Sequence, residues 1–199
     1  MRAGFAAGSS RSRRRNFSMP KITGGQLGSR KLKSPKGATV RPTPGRVKES
    51  LFSILMNRTE GARVLDLFAG TGAIGFEAAS RGAARVVSVE SQREVAHAIE
   101  EAAKNLGIED VVQVFPAPAE RALYRLEGPF DIVYLDPPYA DPVPLQLFRL
   151  MRERGLLAPD ALVVYEHAAK RILPEIPGYR SVREEVYGDV ALAFLAPEA

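Results

Sequence analysis

From Arg63 onward, short apolar runs alternate with amphipathic patterns, and that rhythm leaves few folds open. The apolar runs are 63–67, 85–89, 111–115, 130–135 and 161–165, and the helical patterns are 73–81, 92–106, 119–126 and 142–154. Strands that each feed a helix predict a parallel sheet with helices on both faces and right-handed crossovers. The end of the chain breaks the rhythm. Two extended runs, 179–187 and 189–195, meet at Gly188-Asp189, which is a hairpin signal. Hairpin strands are antiparallel, so one of them must oppose the others. The expected class is α/β, a mostly parallel sheet closed by an antiparallel hairpin.

Two strand ends carry loops with chemical meaning. Val64-Leu65 runs into Asp66-Leu67-Phe68-Ala69-Gly70-Thr71-Gly72-Ala73-Ile74-Gly75, and Ile132-Val133-Tyr134-Leu135 runs into Asp136-Pro137-Pro138-Tyr139. In an open parallel sheet both lie at the carboxyl edge, where such sheets bind ligands. Gly70, Gly72 and Gly75 also fit the dinucleotide pattern G-x-G-x-x-G. Asp66 argues against a dinucleotide: a carboxylate at the turn repels a pyrophosphate and attracts the ammonium of a methionine moiety. S-adenosylmethionine is therefore the expected cofactor. Its candidate contacts are Asp66, Phe68, Ala69, Gly70, Thr71 and Gly72, with Glu90 and Ser91 after the next strand. Glu90 suits the two ribose hydroxyls, a role that does not separate the two cofactors. Phe68 and Phe76 also suit packing around the glycine turn.

The second loop suits an amino group on a flat ring. Pro137-Pro138 makes a stiff arch, because proline fixes φ and offers no N–H. The Asp136 carboxylate and the Pro137 carbonyl can both accept from one exocyclic amine, and Tyr139 offers a face for the base to stack on. Asp136, Pro137, Pro138 and Tyr139 are the candidate catalytic residues. The two loops together predict methyl transfer to nitrogen.

Charge is distributed unevenly. Residues 1–58 carry +13 and the rest −8, within a net +5. A basic head on an acidic body predicts a polyanionic partner. Candidate nucleic-acid contacts are Lys21, Arg30, Lys31, Lys33, Arg41, Thr43, Arg46 and Lys48. Residues 1–18 read as a solvated low-complexity tail. Residues 19–58 read as a small hairpin followed by a helix, with Thr43 as N-cap, Pro44 at the first helical position, and Arg46 and Lys48 on its exposed side. Residues 59–199 read as the catalytic domain. The chain has no cysteine and two histidines, which argues against disulfides and zinc and suits a cytoplasmic location. No apolar run is long enough for a membrane span, and no coiled-coil element points beyond a monomer.

In order along the chain, Ile22-Thr23-Gly24-Gly25, the run from Arg41 to Phe52, Asp66 to Gly75 and Asp136 to Tyr139 resemble the bacterial small-subunit rRNA guanine-N2 methyltransferases. The resemblance covers roughly Met19 to Leu195. It implies a class I methyltransferase fold of seven strands, the last antiparallel. It also implies modification of one guanine N2 in 16S rRNA, free or within the small subunit or its assembly intermediate. Asp66, Gly70, Gly72 and Glu90 would then hold the cofactor, and Asp136 to Tyr139 the guanine. Two positions depart from the pattern. Gly45 stands where relatives carry an acid. Pro118-Ala119 stands where many methyltransferases read adenine with Asp or Asn, so backbone near Ala119 is expected to do so here.

Other residues invite a bland reading. His97 suits a helix surface, and Glu184-Glu185 a solvated strand face. Glu166 and His167 follow Val163-Val164-Tyr165 at the active edge, where a substrate role competes with a packing one. Two further functions stay open: a DNA adenine-N6 or cytosine-N4 methyltransferase, and a non-catalytic cofactor-binding RNA assembly factor. The first usually carries an extra target-reading region, and the second has no need of an intact Asp-Pro-Pro-Tyr.

Overall fold

The computed structural model describes residues 21–32 and 44–198. Lys33, Arg41, Thr43 and the 1–18 tail lie outside the described residues. The elements in chain order are α1 (Gly45–Leu55), β1 (Arg63–Asp66), α2 (Ala73–Ser80), β2 (Arg85–Glu90), α3 (Arg93–Leu106) and β3 (Val112–Pro116). They continue with α4 (Ala119–Arg125), β4 (Phe130–Leu135), α5 (Leu145–Glu153), β5 (Leu157–Ala168), β6 (Tyr179–Tyr187) and β7 (Val190–Pro197).

The strands form one sheet in the order β3-β2-β1-β4-β5-β7-β6. β1 to β5 are parallel, while β7 runs antiparallel to both β5 and β6. The hairpin is as expected, and β7 rather than β6 is the reversed strand, turning at Gly188 with φ 65°. Side chains alternate across the sheet because a strand has a two-residue period. Val64 and Ile132 face a core with Leu51, Phe52, Phe76 and Ile99 from α1, α2 and α3. Leu65 and Val133 face the other core, with Leu123, Phe148 and Met151 from α4 and α5.

Three boundaries differ from the sequence reading. Pro44 occupies the N-cap of α1 rather than its first turn. α5 begins at Leu145 rather than 142, because Pro142 and Pro144 lack the N–H a helix body requires. β5 starts at Leu157, four residues early, with an irregularity in its pairing to β4 between Phe130 and Ile132 that accommodates Pro159.

The 21–32 segment folds back on itself through a Lys21–Lys31 bridge and packs on α2. Ile22 and Leu32 join the same core as α1. The strand order reverses between β1 and β4. Both strands point their carboxyl ends to the same rim, with Asp66 in register with Tyr134.

Candidate active site

Asp66 is the last residue of β1. It is 1% exposed, and neither carboxylate oxygen has a hydrogen-bond partner among the described residues. Burial pushes its pKa up to about 7. The backbone amide of Gly75 opposes that shift from outside hydrogen-bonding geometry, and Glu90 adds to it. A buried acid without donors is costly to ionise, and a cation placed against it removes the cost.

The glycine loop wraps over this carboxylate. Gly72 caps α2 with φ 73°, and a Cβ there would press on Phe76 at 2.8 Å and Ile99 at 3.0 Å. Gly75 lets α2 approach β2, since a Cβ would lie 2.8 Å from Ser88 Oγ. Phe76 is the packing residue beneath the turn, and Phe68 leans on the α4–α5 core. Ala69 N–H donates to the Val89 carbonyl at 2.9 Å. Glu90, ending β2, accepts from the amide of Gly70 at 3.0 Å and from that of Gln92 at 2.8 Å. It thereby ties the first loop to the second strand. Ser91 is exposed, with its hydroxyl 3.3 Å from Glu90. Pro118 and Ala119 begin α4 beyond β3, whose last residue Pro116 pairs with Glu90.

On the other side of β1, Asp136 and Tyr139 are half-buried, Pro137 is buried and Pro138 exposed. Register places Leu135 beside Tyr165 of β5, so the following Glu166 lies alongside the substrate loop. Tyr139 donates its hydroxyl to Glu166 at 2.6 Å, and Tyr134 donates its own to the other oxygen of the same carboxylate. Burial first, then the charges of Glu166, Asp136 and Asp66, hold the Tyr134 phenol well above its usual pKa, so it stays a donor. Arg171 donates to the Tyr139 carbonyl at 2.6 Å. Glu166 and His167 belong to β5 itself rather than to a loop after it. His167 stacks on Tyr165 and lies 3.0 Å from the Ala168 carbonyl through Nδ1. It packs, with Nε2 lying 3.5 Å from Glu184 on the neighbouring hairpin.

The basic residues divide. Lys21, Arg30, Lys31 and Arg46 are exposed. Lys48 is not: it is 2% exposed and paired with Glu77 at 3.0 Å. Its expected place on the RNA-facing side of α1 is corrected by this burial. Glu77 is the residue sequence reasoning missed. Fully buried, it also accepts from the Thr23 amide and hydroxyl, from the Gly24 amide and from Arg81, at 2.8 to 2.9 Å. Burial alone would raise its pKa, but the Thr23 hydrogen bonds and the Lys48 charge carry it below the ordinary value. A signal was present: Glu77 is the one charge in the helix AIGFEAAS. His97 lies on the helix surface near Glu100, and Glu184 is half-exposed. Among the described residues, no His, Asp and Glu cluster could hold a metal, and no helix is long and apolar enough to cross a membrane.

The family described as Conserved hypothetical protein 95 matches residues 20–196. The chain belongs to that family. It is 36% identical over 182 residues to "Ribosomal RNA small subunit methyltransferase D" of Escherichia coli (strain K12), covering 90% of each chain. It is 35% identical over 177 residues to "Putative rRNA methyltransferase YlbH" of Bacillus subtilis (strain 168), covering 87% of this chain and 96% of that one. Among solved structures, "Putative methyltransferase yhhF from Escherichia coli" superposes with a TM-score of 0.82 at 35% identity, covering 92% of this chain and 99% of that chain. The seven-stranded sheet with its reversed last strand is thus the class I methyltransferase architecture expected from the resemblance.

Proposed function

We propose that the protein is an S-adenosylmethionine-dependent rRNA methyltransferase that modifies the exocyclic N2 of one guanine in 16S rRNA. One observation carries this reading: the partnerless Asp66 carboxylate and the Asp136–Tyr139 turn end neighbouring parallel strands at one rim. Relatives named as rRNA methyltransferases support the substrate class. Asp66 suits the ammonium of the cofactor, which would complete an otherwise unmatched buried acid. Glu90 retains lone pairs for ribose hydroxyls beyond the amides it already accepts. Backbone around Pro118-Ala119 is the proposed adenine contact, beside Phe68, Ala69, Thr71 and Ser91.

Bound S-adenosylmethionine supplies a sulfonium methyl group. The chain's own residues orient the amine that receives it. Asp136 and the Pro137 carbonyl accept the two N–H bonds of the amine, which turns the nitrogen lone pair out of the ring's conjugation and toward the donor. Tyr139 stacks on the base, worth about 1–3 kcal/mol. The nitrogen becomes acidic as it gains its methyl, and a proton leaves along the Asp136 hydrogen bond without a strong base. Positioning dominates such a reaction and can supply about 7–11 kcal/mol of the barrier. Lys21, Arg30, Lys31 and Arg46 hold the RNA electrostatically, and the guanine leaves its stack at a cost of a few kcal/mol. The protein acts as a monomer on the small subunit or its assembly intermediate.

Purified protein with labelled cofactor, offered small subunits, naked 16S rRNA and duplex DNA, tests this. Label in a single N2-methylguanine of 16S rRNA is expected, and label in DNA alone overturns the reading. Asp136→Ala should cut methylation by at least about a hundredfold while RNA binding stays nearly intact. Full activity in that variant would remove Asp136 from the site.

A further inference from the structure

The geometry points to Glu166 as a positioning residue that fixes the ring of Tyr139 for the incoming base. This rests on Asp136–Tyr139 being the substrate loop and adds a residue that reading does not use. In that loop the two prolines are rigid, whereas the direction of the Tyr139 ring is set by two side-chain torsions. A stacking platform works only if its plane is set beforehand. Arg171 fixes the Tyr139 backbone through its carbonyl at 2.6 Å, and Glu166 fixes the far end of the ring through the hydroxyl at 2.6 Å. Held at the backbone and at the hydroxyl, the ring's axis keeps one direction, and the phenolic O–H, which prefers to lie in the ring plane, favours the plane in which its hydrogen meets Glu166.

Glu166 is itself well held. It is 3% exposed, lies within β5 between β4 and β7, and takes the Tyr134 hydroxyl on its second oxygen. Tyr134 is two residues ahead of Asp136 on the strand that ends in the loop. One carboxylate therefore links the strand that delivers the loop to the loop's last residue. Stability alone does not account for a buried carboxylate here, because apolar side chains of equal volume generally do as well or better. The arrangement makes sense where the direction of a ring matters, since a misplacement of about 1 Å can cost a hundredfold in rate.

The test compares Glu166→Met, which keeps length and removes both acceptors, with Glu166→Gln, whose amide oxygen can still accept from Tyr139. Tyr139→Phe breaks the same bond from its other end without touching the core. Glu166→Met and Tyr139→Phe should each lower kcat at least tenfold, with cofactor Kd and the KM for RNA within twofold of wild type. Glu166→Gln should recover most of the loss, and Glu166→Met added to Tyr139→Phe should cost less than a further twofold. Wild-type kcat in Glu166→Met, losses that multiply in the double variant, or cofactor affinity falling in parallel would each overturn the inference. A readout independent of turnover separates this from failure of the functional reading. With the six tyrosines replaced by 3-fluorotyrosine, the ¹⁹F line assigned to Tyr139 should shift or broaden in Glu166→Met and return in Glu166→Gln. An unchanged line would overturn the positioning role even if no RNA is methylated.

Discussion

Asp66 and Glu77 are both buried acids of one strand–loop–helix unit, one closing β1 and the other inside α2, and their surroundings are opposite. Glu77 is saturated: two cations, two amides and a hydroxyl converge on it. Among the described residues Asp66 has no cation or side-chain donor, and only the Gly75 amide acts on it. One carboxylate is pulled below its ordinary pKa and the other pushed up to about 7. The comparison separates a cluster that is complete in the folded chain from an acid whose proposed partner is the cofactor's ammonium. Glu77 joins the 21–32 segment and α1 to α2, whereas Asp66 lies buried at the rim without a counter-charge among the described residues.

Substitution should expose that difference most strongly at Glu77. Glu77→Ala leaves Lys48 buried without its counter-charge, and a loss of about 3–5 kcal/mol is expected in denaturant unfolding. If the loss is under about 1 kcal/mol, the cluster is not what joins the segments. Asp66→Asn should behave in the reverse manner. Melting temperature is expected to hold or rise, because an uncompensated acid is gone, while cofactor affinity by calorimetry falls about 10- to 100-fold. A destabilised Asp66→Asn with unchanged affinity would erase the distinction.

The two acids also predict opposite responses to pH. Asp66, with its folded pKa raised from 3.8 to about 7, favours the free folded state at low pH and withdraws that support as pH rises across that interval. The proposed contact with the cofactor's ammonium needs the ionised form, so affinity should strengthen about tenfold between pH 6 and 8 and be flat in Asp66→Asn. Glu77, lowered from 4.5, contributes stability that is fully present above that value and lost as pH falls through its folded pKa. Acid should therefore loosen the 21–32 segment. The smallest effect concerns the exposed cations: Arg46→Ala or Lys31→Ala should each reduce the slope of log affinity for RNA against log salt by about 1. Lys48→Ala, by contrast, should register in stability.

The alternation of strand and helix was legible because the central strands are buried on both faces, so each reads as an unbroken apolar run. The rim residues were legible for a related reason: Asp66, Glu90 and Asp136 each end such a run. What escaped were partnerships between distant elements. Lys48 shares the buried stripe of Val47, Leu51, Phe52 and Leu55, yet a lysine there makes sense only once Glu77 of another helix is seen beneath it. Glu166 was visible as an acid near the active edge, but its two tyrosine partners depend on the register of β4 against β5. The early start of β5 was hidden by Pro159 and Asp160, which imitate a turn until the pairing irregularity accommodates them.

The placement of β7 bears on how the molecule can be assembled. Because it lies between β5 and β6, the last of these seven strands to be synthesised is an internal stave of the sheet, and β6 has no neighbour until that stave arrives. A nascent chain halted before Val190 would leave the outer edge of β5 and both edges of β6 unpaired, where the finished sheet leaves only the outer edge of β6 on that side, so shortening β7 by a few residues should cost far more than the residues themselves.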